Sequence, residues 1–178
     1  MLGNPNTQQC LKTELGYKMT QGGRAVTSGN VLEKTLEGAL LGHGYSQVGI
    51  DVPKKQRLGF LLTCNNLRKR YARQVYIGQG IYDTDIYVDF YIIGSSSISA
   101  GLIIECKWQQ TPGSVDEKLP YLNLNIQCCY PVPAIVLIDG GGMKPKAVTW
   151  LSTQTTSNKN LLAVHNLSSF IIWSNNNL

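Results

Sequence analysis

The reading of the fold turns on two stretches, Tyr87-Val-Asp-Phe-Tyr91 and, beyond a turn of Gly94 and three serines, Leu102-Ile-Ile-Glu-Cys-Lys-Trp108. Both are rich in β-branched and aromatic residues, the composition of strands packed on a pleated surface. The first extends over 81–93 and the second over 101–108, so the pair reads as a hairpin. Alternate residues of a strand share a face, which puts Glu105 and Lys107 on the same side. Charged groups inside an apolar strand are costly to bury unless they are paired or bound to a metal. Asp89 poses the same problem one strand earlier, and the hairpin brings it toward Glu105. Two converging carboxylates call for a hard cation with oxygen ligands, and Mg²⁺ suits that description. Taken alone, Glu-x-Lys also fits a strand-surface ion pair. Asp83 and Asp85 compete with Asp89, which lies deeper in the apolar run and leaves room for a short hairpin before Glu105.

Working outward, Leu32, Leu36, Ala39 and Leu40 recur at helical spacing, and Gly42 and Gly44 mark that helix's end. Asn30 is placed to cap it, with Glu33 reaching back as the third residue of a capping box. The preceding residues 1–29, rich in Gly, Asn, Gln and Thr, read as an irregular arm, leaving 30–178 as one domain. Residues 45–80 suggest short strands around a basic helical or looped segment. After Thr111-Pro-Gly113 a helix is expected over 114–127, then a wholly apolar strand at 134–138 of the kind buried on both faces. Pro145 suits the first turn of another helix. A strand near 161–164 and a short helix close the chain. The order indicates an α/β domain with a mixed β-sheet flanked by helices.

With 178 residues and a formal net charge of +5, the chain is sized for one domain and modestly basic. The basic residues concentrate at Lys54, Lys55, Arg57, Arg68, Lys69, Arg70 and Arg73, with Tyr71 and Tyr76 interleaved. Such a cluster fits a polyanion, although a solvated face explains it equally well. Five cysteines without a C-x-x-C pair, and His43 and His165 as the histidines, offer no closed zinc set. Reduced thiols, no run long enough to span a membrane and no apolar leader core point to a cytoplasmic protein. Asp139-Gly-Gly-Gly-Met-Lys-Pro-Lys146 lacks the spacing and ending of a P-loop, so nucleotide hydrolysis is not indicated. The two histidines read as structural, and the three tryptophans as core residues rather than stacking platforms.

The succession of Glu33 on a first helix, Asp89 on a strand and Glu105-Cys106-Lys107 on the next, then a helix and a further strand, resembles the PD-(D/E)XK nuclease superfamily. The resemblance covers roughly 29–140. Val88 stands where the motif's first letter has proline. The likeness implies a restriction-endonuclease-like core and hydrolysis of DNA phosphodiester bonds. It also implies Mg²⁺, with Mn²⁺ as substitute, held by Asp89, Glu105 and the Cys106 carbonyl. Lys107 would orient the attacking water or stabilise charge on the phosphorane, and Glu33 would act through a second water shell or second metal. Gln109 and Gln110 follow the lysine where some members place a glutamine. The basic cluster and Lys118 would contact phosphates, which give affinity and register rather than sequence choice. Double-stranded DNA as substrate implies two active sites and hence a homodimer or homotetramer. Site-specific cleavage of restriction or homing type leads. A structure-selective nuclease such as a Holliday-junction resolvase and a catalytically silent DNA-binding protein are the alternatives.

Overall fold

The computed structural model describes residues 21–64, 66–94 and 98–178, with side-chain positions from residue 31 onward. Among these a six-stranded sheet carries β1 (Ser46–Gln47), β2 (Arg70–Gln79), β3 (Asp85–Ile93), β4 (Leu102–Trp108), β5 (Ala134–Asp139) and β6 (Leu161–His165), in that spatial order. β1 runs parallel to β2; β2, β3 and β4 form an antiparallel meander; β4, β5 and β6 are parallel. The parallel half needs crossovers, supplied by α3 (Leu119–Cys129) and α4 (Pro145–Thr153). The helices α1 (Gln21–Gly42), α2 (Arg57–Thr63) and α5 (Leu167–Asn177) complete an α/β architecture of the restriction-endonuclease-like kind.

Helices cover both faces of the sheet. Leu32, Leu36 and Leu40 of α1 and Phe170 of α5 pack on Ile104, Ile135 and Leu137, forming one apolar layer. Leu61 of α2, Leu119 and Ile126 of α3 and Leu151 of α4 pack on Ile103, Val136 and Ile138, forming the other. The interior strand β5 therefore alternates between two cores, which explains its unbroken apolar run. At roughly 1.5–3 kcal/mol per fully buried aliphatic side chain, these layers supply enough stabilisation to tolerate charged insertions in β4.

Several boundaries differ from the sequence reading. α1 begins at Gln21, so Asn30 lies inside it and cannot be its cap; the capping-box role for Glu33 falls with it. The expected arm otherwise lies outside the described residues, as do the three serines of the β3–β4 turn. Asn166 forms a genuine capping box, on α5, with Ser169. β3 starts at Asp85 rather than Ile81, because Gly80–Thr84 closes a turn through Gly80 N–H to Thr84 O at 2.8 Å, with Asp83 at φ 55°. The helix expected from Ser114 starts as a 3-10 turn over Asp116–Lys118. Pro120 sits in the first turn of α3, where its missing N–H costs nothing.

Candidate active site

β3 and β4 pair from Ile92↔Leu102 to Phe90↔Ile104, and there the ladder stops. One step further the register would set Asp89 against Glu105. Instead the Asp89 carboxylate takes over the ladder's role and accepts the Cys106 backbone N–H at 2.8 Å. The departure has a local cause in β2. Arg73↔Phe90 and Val75↔Val88 are partners, so Gln74 faces Asp89, and Gln74 adopts φ 50°. Phe90 and Ile92 pack on the α1 layer, whereas Val88 and Ile86 pack on the α3 layer, a change of face that a regular strand cannot make. Left-handed backbone at a non-glycine residue costs about 1–3 kcal/mol and persists where surrounding structure enforces it. The Gln74 amide donates to Asp89 Oδ1 at 3.0 Å, fixing the carboxylate at the kink.

Beyond the last pair, residues 84–87 of the β3 side and 105–108 of β4 part around a cavity of about 500 Å³, closed on its other side by Leu119, Tyr121 and Leu122 of α3. Glu105 and Lys107 line it together, as alternation requires. Lys107 Nζ lies 2.6 Å from Glu105 Oε2 and 3.6 Å from Asp89 Oδ2, so one ammonium joins both carboxylates. Glu105 is 4% exposed, and its other oxygen accepts the Tyr130 hydroxyl at 2.7 Å. Burial pushes the Glu105 carboxyl above its ordinary range against the pull of Lys107. Burial works against the Lys107 charge too, but Glu105 and Asp89 outweigh it and raise the ammonium well above its usual value.

Cys106 points to the opposite face, and burial pushes its thiol far up, which removes it as a nucleophile. The described cysteines are free. His43 meets Ser174 and His165 meets Ser169, each a structural contact. Among the described residues no group of three or more His, Cys, Asp or Glu side chains gathers as a metal cluster. The carboxylate oxygens that meet here are those of Asp89 and Glu105. That set fits Mg²⁺, which keeps several waters and needs only one or two carboxylates. It does not fit a closed zinc site.

The other expected site residues separate from this centre. Glu33 and Glu37 are both paired with Arg73, whose guanidinium lies 5.2 Å from the Phe90 ring centroid, and Tyr71 donates to Glu37 at 2.7 Å. Arg73 therefore ties β2 to α1. Arg70 is buried and donates to the carbonyls of Leu61 and Leu67 at the end of α2. Lys69 donates to the carbonyls of His43 and Leu178, and Arg57 to those of Val52 and Arg73. The basic stretch does not form one solvent face: these four cations serve the fold, and phosphate contact by them would sacrifice those bonds. Lys54, Lys55 and Arg68 remain at the surface, as does Lys118 on the cavity rim. Lys55 pairs with Asp85 at 2.7 Å, at the start of β3, where Asp85 lines the outer part of the cavity.

Gln109 is buried and points away from the cavity; its amide donates to Gly142 O at 3.0 Å and accepts Val115 N–H at 3.1 Å. Gln110 is exposed in the following turn. The glycine run wraps this segment: a Cβ on Gly140 would lie 2.5 Å from Gln109 O, and one on Gly142 2.5 Å from Thr111 N. Close backbone approach, not phosphate binding, accounts for those glycines. Trp108 and Trp173 pack into the α1 layer, whereas Trp150 is 38% exposed on α4, against the expectation of core. Tyr130 and Gln74 were not singled out by sequence. Neither carries a local signal, because each reaches the site only through the fold.

No curated protein and no solved structure matches the chain significantly. Residues 24–178 match the PD-(D/E)XK nuclease superfamily domain, a span that holds Asp89, Glu105 and Lys107. With its mixed sheet and a carboxylate–lysine centre where β3 and β4 part, the chain belongs to the PD-(D/E)XK nuclease superfamily.

Proposed function

We propose that the protein is a Mg²⁺-dependent endonuclease that hydrolyses DNA phosphodiester bonds, with site-specific cleavage of both strands as its activity. The observation that carries this reading is that Asp89 and Glu105 both engage the Lys107 ammonium, with Glu105 and Lys107 lining an open cavity of about 500 Å³. Asp89, Glu105 and the Cys106 carbonyl would hold Mg²⁺, with Mn²⁺ as substitute; the bound ion polarises the scissile phosphate and lowers the pKa of its water. Lys107 is charged and partly exposed, so its ammonium can orient that water or meet the growing negative charge on phosphorus. Asp89 and Glu105 engage Lys107 from two sides, which fixes where the ammonium stands. Tyr130 holds one Glu105 oxygen and Lys107 the other. Glu33 acts at a distance in this scheme, positioning β2 through Arg73. Lys118 on the cavity rim, and Lys54 and Arg68 at the surface beyond it, supply phosphate contacts, so binding should weaken with salt.

Cleavage of both strands requires a homodimer or homotetramer, and a cytoplasmic location goes with the free thiols. Among the described residues no helix is long and apolar enough to cross a membrane. A silent DNA-binding protein is disfavoured because the carboxylate–lysine set is intact. Plasmid and phage DNA incubated with Mg²⁺ should give discrete products, absent in EDTA and absent for Lys107→Ala. Full activity in Lys107→Ala would refute the assignment.

A further inference from the structure

At the tip of the β2–β3 hairpin, Tyr82 lies stacked on Tyr121 of α3, ring centroids 5.0 Å apart and planes 19° from parallel. Tyr82 remains 72% exposed, so the ring face turned from Tyr121 is uncovered. An exposed aromatic on a loop tip ordinarily moves freely. This tip is fastened: Ile81 N–H donates to Asn125 Oδ1 at 3.0 Å, and Thr84 Oγ1 meets Tyr121 Oη at 3.0 Å. A Cβ on Gly80 would lie only 2.7 Å from Asn125 Oδ1, so the turn is seated directly on α3. Asn125 is itself buried, a polar side chain committed to holding the tip.

The platform stands at the catalytic cavity, because Tyr121 lines that cavity with Lys118 and Lys107. Cationic side chains continue along the same hairpin, with Lys54 Nζ 5.8 Å from the Tyr87 ring centroid and Lys55 Nζ 5.0 Å from that of Tyr76. Asp85 is neutralised by Lys55, while Asp83 adds one negative charge at the tip. A rigid open π face beside a cavity that Lys118 lines is an arrangement suited to take a base on the ring and its backbone on the ammonium. The bases of an intact duplex present no free faces, whereas an unpaired base does. We infer that Tyr82, backed by Tyr121, stacks an unpaired nucleobase at the mouth of the active site. The base it takes is one left unpaired beside the bond to be cut, either in a single-stranded extension or by local opening of the duplex at the cleavage site. This deepens the proposed nuclease function and rests on its assignment of DNA as substrate.

The test is binding in EDTA, which separates recognition from hydrolysis. Fluorescence anisotropy compares a blunt duplex with the same duplex carrying a single-stranded extension, and 2-aminopurine in the extension reports stacking by quenching. The wild type should bind the extended DNA roughly fivefold or more tightly, the scale of one stacked base, with quenching. Tyr82→Ala should lose both the preference and the quenching while keeping blunt-duplex affinity, and Tyr82→Trp should retain them. Unaltered far-UV circular dichroism and Tm in Tyr82→Ala would exclude misfolding. Equal wild-type affinity for the two DNAs, no binding to either, or equal weakening of both by Tyr82→Ala would overturn the inference. Preferential binding lost in Tyr82→Ala would support the platform even if neither DNA were cut in Mg²⁺, an outcome that would sink hydrolysis instead.

Discussion

The two halves of β3 follow different rules. Phe90–Ile93 is knitted to β2 and β4 and buried within the two cores. Asp85–Val88 keeps its β2 partners but has parted from β4: Ile86 and Val88 still pack on the α3 layer, while Asp85 and Tyr87 turn to the cavity and to Lys55 and Lys54. The break falls at Asp89, opposite the strained Gln74. The contrast teaches where this fold makes room for chemistry: the ladder ends, a carboxylate caps the freed Cys106 N–H, and charged side chains gather where apolar pairs would otherwise continue.

The sharpest way to break the contrast is to cut one residue in each half. Phe90→Ala should lower stability by about 3–5 kcal/mol, the range for emptying a buried aromatic site, as read by chemical denaturation. Asp85→Ala should leave the denaturation midpoint essentially unchanged, because its partner Lys55 is solvent-exposed. Equal losses would mean that the halves are not distinct. For activity the decisive residue lies across the gap, on β4. Lys107→Ala should slow single-turnover cleavage by about 100- to 1000-fold, the usual cost of one donor at a developing charge, with DNA affinity largely retained.

A smaller effect is expected at the kink. Gln74→Gly and Gln74→Ala both lose the bond to Asp89, but glycine accepts φ 50° without strain. The glycine variant should therefore be more stable than the alanine variant by about 1 kcal/mol, while both cleave more slowly than wild type. The smallest effect concerns pH in metal-free protein. Because burial raises the Glu105 pKa on folding, the native state holds the proton longer than the unfolded chain. Stability should fall as pH rises from the ordinary carboxylate range through that raised value. Tyr130 stabilises the charged form, so in Tyr130→Phe the fall should extend to higher pH. In Glu105→Gln this contribution should vanish.

Much of this was legible in the chain. The hairpin followed from the β-rich composition of its segments, and the buried strand β5 from its apolar run. Asp89, Glu105 and Lys107 stood out because charge in an apolar strand demands an explanation. The basic stretch was misleading for a physical reason: composition cannot distinguish a phosphate-seeking arginine from one that caps a helix end, as Arg70 does, or bridges two glutamates, as Arg73 does. The spacing after Asp139 rules out a P-loop, but the need for Gly140 and Gly142 lies in a segment distant in sequence. Gln74 and Tyr130 were illegible because their roles arise from register and from the return of α3 over β4.

The most direct test is DNA cleavage by the purified protein in Mg²⁺ or EDTA, beside Glu105→Ala. The account predicts Mg²⁺-dependent products from the wild type and none from the variant. Cleavage in EDTA, or undiminished cleavage by Glu105→Ala, would contradict it.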